Sequence, residues 1–248
     1  MEVCEERKQV KISGPLLIAL HLVPGLIFGG VFLVLSWTFI GSGLTGYLAL
    51  LVTIPVCLVP IELGVMRFWS ARETGRGSVS AAILYRQRGT VVDYIVWPFL
   101  LFICWGVLSI AIAPISQYLD ANLSGWLPAW ATQESLFNDL LSSPSTQRPV
   151  TLGLAVLLSG VVAPVVEESY FRGFLLPRMA HWGWMAPVVN ALLFAVYHFY
   201  FPGNVPGIFG AFVPTAFIVM IKKNWRIGLV FHSAVNLWGV YSVATAIT

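Results

Sequence analysis

Polar positions along this chain are few and clumped, leaving apolar runs near 15–38, 44–66, 91–115, 150–176, 185–201, 206–221 and 227–246. At about 1.5 Å rise per residue, helical runs of roughly 20 residues cross the hydrocarbon core of a bilayer. The pattern predicts an all-α fold, a polytopic membrane helical bundle of about seven transmembrane helices. Residues 1–248 then form a single membrane domain, with no room for a separate soluble one. Its first part, residues 1–149, holds three spans with their loops. No repeat with a period of 20 to 50 residues and no inverted symmetry between halves is visible. Pro55, Pro60, Pro98, Pro114 and Pro164 lie in or at the ends of the runs. A missing N–H there kinks the helix and frees carbonyls.

Charge adds an orientation. Arg7, Lys8 and Lys11 lie beside Glu2, Glu5 and Glu6 ahead of the first run, while Arg67, Arg72, Arg76, Arg86 and Arg88 face a single Glu73 in the Arg67–Gly89 connection. The Ser- and Pro-rich stretch from Asp120 to Pro149 has Asp120, Glu134 and Asp139 against Arg148, with Trp126 and Trp130 available for an interfacial segment. Basic residues rather than net charge set topology, so seven spans put the N-terminus in the cytoplasm and the C-terminus outside. Arg178, Lys222, Lys223 and Arg226 then fall on the inner face as well. The first run is too long for the core of a secretory signal, and no cleavage is expected.

Composition narrows the class. With 58% hydrophobic and 10% charged residues, the chain has more apolar surface than a soluble fold can hide. A net charge of +3, without a basic patch interleaved with aromatics, argues against nucleic acid as a partner. Cys4, Cys57 and Cys104 have no paired spacing, so neither a disulfide framework nor a zinc knuckle is expected. Cys57 and Cys104 read as small packing residues. Glu62 is expected to snorkel or pair with Arg67, a place in an active cavity being the other reading.

Chemistry concentrates in Val165–Gly173, where Glu167, Glu168 and Arg172 interrupt an apolar run. Each buried charge costs about 2.5 to 3.5 kcal/mol even on the gentlest insertion scale, so three of them require a reason. Glu168 and Arg172 stand at i, i+4 in the favourable order for an ion pair. Glu167 points about 100° away around the helix and is the free acid, a candidate general base. Two of the four histidines fall inside late runs with a companion one turn away: Phe194 with His198, and His232 with Asn236. Polar groups on three spans share their cost by facing one wet cavity. His181 reads as solvated, and His21 as a helix–helix hydrogen bond. The chain has no His-Glu-x-x-His, no Gly-x-Ser-x-Gly and no pair of intramembrane aspartates, which leaves a glutamate.

Glu167-Glu168-Ser169-Tyr170-Phe171-Arg172, Phe194-x-x-x-His198 and His232-x-x-x-Asn236 together resemble the three ordered motifs of the CPBP family of intramembrane proteases, the CAAX proteases and bacteriocin-processing (Abi) enzymes. The likeness covers residues 150–240. It implies an intramembrane endopeptidase acting on a membrane protein or lipidated, CAAX-type peptide substrate in the lipid bilayer. In it Glu167 and His198 activate water, His232 and Asn236 stabilise the oxyanion, and Glu168 and Arg172 support them. Two converging N–H groups from His232 and Asn236 suit that oxyanion role. The first three spans resemble nothing in the family and are the place for substrate choice. No cofactor is expected, although Glu with two His is also a zinc-binding set. A proton relay in a transporter and a non-catalytic scaffold are the readings from other classes. Counted along parallel helices, His198 lies about 10 Å deeper than His232, so the long fourth run is expected to protrude or break at Pro164.

Overall fold

In hydrocarbon a backbone must satisfy its own N–H and C=O groups, so the apolar runs become helices. The computed structural model describes residues 12–247, and among them the elements are helical. The expectations for Cys4, Arg7, Lys8 and Lys11 fall outside that range. Helix α1 is Gly14–Gly41 and α2 is Gly46–Thr74, started by the Thr45 side chain accepting from the Leu48 N–H. Helix α3, Val91–Leu123, begins with a capping box between Thr90 and Asp93. The short α4, Gln133–Ser142, follows two 3-10 turns. Helix α5 is Gln147–Arg178, α6 is Met185–Tyr197, α7 is Val205–Lys222 and α8 is Trp225–Ile247.

Six helical segments are long and apolar enough to cross a membrane, and α6 is a shorter apolar helix of 13 residues. At about 1.5 Å per residue α6 reaches only about 20 Å, less than the run 185–201 suggested. Its early end has a local cause. Pro202 disfavours helical geometry in the preceding residue, and Phe201 lies outside the helical region at φ −132° and ψ 79°. Helix α3 departs in the other direction, continuing past residue 115 to Leu123, and the stretch expected as an external loop is folded into turns and α4.

Prolines widen two helices without breaking them. Ile54–Leu58, containing Pro55, is π-helical, and so is Ala155–Val162, just ahead of Pro164. A second π segment, Glu168–Leu175, follows on α5. A proline cannot donate to the preceding turn, so the wider i→i+5 spacing takes up the slack.

The two ends of the bundle differ in charge. At one end Glu73 pairs with Arg178 at 2.6 Å and Asp93 with Lys222 at 2.8 Å, while the Gln87 N–H donates to the Lys223 carbonyl and the Trp225 N–H to that of Tyr85. At the other end the Gly46 N–H donates to Asp139, Gln147 reaches the Gly43 carbonyl, and Trp126 stacks on Phe199. Arg67, Arg72, Arg76, Arg86 and Arg88 belong to the first end, which holds the turns between α2 and α3, α5 and α6, and α7 and α8.

Two residues sit differently from expectation. Glu62 is wholly buried on α2 and makes no ion pair with Arg67, because α2 packs that face against α5 instead of letting it rise to an interface. Cys104 is exposed on the outer face of α3, whereas Cys57 is buried in the core. His21 does bridge helices: its Nδ1 donates to the Leu17 carbonyl and its Nε2 lies 3.1 Å from Asn190 on α6. His181 is exposed.

Candidate active site

The middle of α5 is buried on all sides. Residues Val166 to Met179 are all buried, including Glu167, Glu168 and Arg172. Glu168 and Arg172 form an i, i+4 ion pair at 3.1 Å with both side chains 0% exposed. The Arg172 guanidinium also lies 4.1 Å from the Phe194 ring centroid and 4.5 Å from that of Phe212. An aromatic face attracts a desolvated cation, worth about 2 kcal/mol or more. A carboxylate and two rings thus replace the water that Arg172 has lost.

His232 arrives from α8 and meets the same carboxylate. Its Nδ1 lies 3.1 Å from Glu168 Oε1, so the ring donates there, and that bond fixes its orientation. The approach depends on a glycine. Gly228 is one turn before His232 on the same face, and a Cβ at that position would overlap Glu168 Oε2. Gly228, His232 and Asn236 form one i, i+4, i+8 stripe. The sequence carried that signal, since a small residue in line with two polar ones marks a close helix approach.

Glu167 faces both imidazoles. Glu167 Oε1 is 3.9 Å from His198 Nε2, and Glu167 Oε2 is 3.7 Å from His232 Nε2. These separations exceed a hydrogen bond and suit two groups sharing a small ligand between them. His198 caps the C-terminal end of α6, and its Nδ1 donates to the Phe194 carbonyl at 2.9 Å. A neutral ring with Nδ1 protonated presents Nε2 as an acceptor toward Glu167. Helix counting had set His198 and His232 about 10 Å apart in depth. Their convergence on one carboxylate means that the helices carrying them are inclined or offset.

Asn236 is placed by backbone. Its Nδ2 donates to the Ser159 carbonyl at 2.8 Å, inside the first π segment of α5. A π segment leaves carbonyls short of their usual partners, and here one of them holds a side chain. One N–H of the amide remains for other use.

Glu167, His198, His232 and Asn236 all line one chamber of about 820 Å³. Glu168 and Arg172 do not reach it. They stand one layer behind, with Phe194 and Phe212 forming part of the wall. The early spans contribute much of the rest: Tyr47, Leu50 and Ile54 from α2, and Trp105, Ser109 and Gln117 from α3. Sequence reasoning missed Gly228, the Ser159 carbonyl and the rings around Arg172. Among the described residues no group of three or more His, Cys, Asp or Glu side chains is placed to hold a metal ion.

Comparison with known families agrees in position. The family described as "Type II CAAX prenyl endopeptidase Rce1-like" matches residues 149–238, and over that stretch the chain is similar to it, consistent with the CPBP resemblance. No curated protein and no solved structure matches the chain.

Proposed function

We propose that the chain is an intramembrane CAAX-type endopeptidase that hydrolyses a peptide bond of a membrane-associated or lipidated protein, using water activated by Glu167. One observation carries this reading: within the Rce1-like stretch, the two oxygens of Glu167 face His198 and His232 across 3.9 and 3.7 Å at the wall of a chamber buried in a membrane bundle.

The chemistry follows from the donors and acceptors present. Water held between Glu167 and His198 Nε2 attacks the carbonyl carbon and gives a proton to Glu167. The C=O π electrons move to oxygen, which becomes the oxyanion. Asn236 offers its remaining N–H to that charge, and His232 donates from Nε2 when doubly protonated, with Glu168 supporting the imidazolium through Nδ1. The intermediate then collapses, the C–N bond breaks, and Glu167 returns its proton to the leaving amine. Holding Glu168 between Arg172 and His232 keeps its charge available without placing it in the chamber.

Mass spectrometry of membrane peptides from cells carrying wild type or Glu167→Gln tests the reading. New termini should be present with wild type and absent with the variant, whose abundance and melting behaviour stay unchanged. Identical peptide maps overturn it. The donor arrangement favours a metal-free route, and cleavage should survive exhaustive chelation; its loss, restored by added zinc, overturns that part.

A further inference from the structure

The chamber has a direction. Its lining residues nearest a bundle end are Tyr47, Ser116, Gln117, Gln133 and Asn204. These lie where α2 starts, α3 finishes, α4 begins and α7 starts, the end marked by Asp139 on Gly46 and Trp126 on Phe199. No lining residue comes from the opposite end, where the turns at 75–90, 178–184 and 223–224 lie. There the site is closed by a solid apolar layer. Trp69, Phe171, Phe174, Met179, Phe231 and Trp225 belong to one core cluster and are buried. Arg172 and Glu168, 0% exposed, lie on that closed side of the chamber wall.

Charge identifies the two faces. Of the eleven Lys and Arg among the described residues, nine lie at or beside the closed end, Arg172 is interior, and Arg148 alone lies toward the open end. Asp120, Glu134 and Asp139 are at the open end. Basic residues are retained on the cytoplasmic side during insertion, and acids count little.

From these two observations we infer that the chamber opens to the extracytoplasmic side, and that the substrate is an exported polypeptide or an extracytoplasmic segment of a membrane-anchored protein. The inference rests on the peptidase reading for the word substrate, but the direction of access stands on geometry. Polar side chains at the mouth, Gln117, Gln133 and Asn204, suit an extended peptide backbone entering from water, with apolar walls below for its side chains.

Cysteine accessibility tests it without any need for activity. In a chain lacking Cys4, Cys57 and Cys104, single reporters are placed at Gln133→Cys at the mouth, Ser109→Cys on the chamber wall and Arg76→Cys at the basic end. A charged, membrane-impermeant maleimide is applied to intact cells and to inverted membrane vesicles. Gln133→Cys and Ser109→Cys should label at least tenfold faster in intact cells, and Arg76→Cys at least tenfold faster in inverted vesicles. Labelling of Ser109→Cys only in inverted vesicles, or from neither side, overturns the inference. So does labelling of Arg76→Cys in intact cells. Should Ser109→Cys fail to fold, Gln117→Cys reads the same path with the same two outcomes. Failure of the peptidase reading is seen separately, as peptide maps that do not respond to Glu167→Gln.

Discussion

Helices α3 and α5 are both long apolar spans by composition, yet they occupy opposite environments. In the most apolar window of each, 11% of α3 is buried inside the protein against 33% of α5. Only Pro98 and Leu101 of α3 are buried, whereas α5 is enclosed without a break from Val166 to Met179. Lipid tails are as apolar as leucine, so apolarity alone does not draw a helix inward. What draws α5 inward is its charge, because Glu167, Glu168 and Arg172 can be tolerated only among partners from other helices. The helix that carries the three charges is the one that could not have stood at the edge.

The strongest way to break this contrast is to remove the cation. Arg172→Leu leaves Glu168 buried with His232 but without its cation, and losing one member of a buried ion pair costs about 3 to 5 kcal/mol. Thermal unfolding in detergent should show that loss together with loss of cleavage. The double variant Arg172→Leu/Glu168→Leu should recover most of the stability and none of the activity, since His232 then lacks its Nδ1 acceptor. A single variant as stable as wild type would mean that the pair does not hold α5 in the centre.

Next in size is the glycine that admits His232 to the pair. Gly228→Ala brings a methyl group onto Glu168 Oε2. Overpacking of this kind costs about 1 to 3 kcal/mol. Displacing Glu168 from His232 should lower kcat more than it raises KM, because the ring is then turned wrongly for the transition state while the chamber walls stand. A raised KM with kcat unchanged would show that Gly228 serves substrate binding instead.

Glu62 offers an effect of opposite sign. Its carboxyl is wholly buried beside Tyr197, and both carboxyl oxygens and the Tyr197 hydroxyl lack a well-formed hydrogen bond. A buried polar group without partners costs about 1 to 3 kcal/mol. Glu62→Leu should therefore raise the melting temperature, and a fall would reveal a stabilising partner. Any activity lost alongside that gain would mark Glu62 as retained for function.

The particulars show what the sequence could and could not disclose. Span positions and the pairing of Glu168 with Arg172 were legible because each depends on one helix: apolar length in the first case, i, i+4 spacing in the second. The ordered motifs also pointed to one cavity, and Glu167, Phe194, His198, His232 and Asn236 line it, with Glu168 and Arg172 one layer behind. The short α6 was not legible, since Phe199–Phe201 continue its apolar run and only Pro202 hints at a stop. Glu62 was misplaced because nearness to Arg67 in sequence says nothing about which face α2 turns inward. Cys104 failed for the same reason, in the opposite direction. Axial counting misjudged the depths of His198 and His232 because it assumes parallel helices.

The smallest expected effect lies at the edge of the bundle. Ile110 on α3 is 77% exposed. In water that exposure would be a liability, but against lipid it is a neutral contact. Ile110→Ala removes no internal packing and should change stability by less than about 0.5 kcal/mol. The corresponding truncation at buried Phe194, beside Arg172, should cost about 3 to 5 kcal/mol. Thermal unfolding of the two variants under one detergent condition measures the gap directly. A loss above about 1 kcal/mol at Ile110 would mean that the outer face of α3 rests on protein, and that a second chain supplies the burial this one lacks.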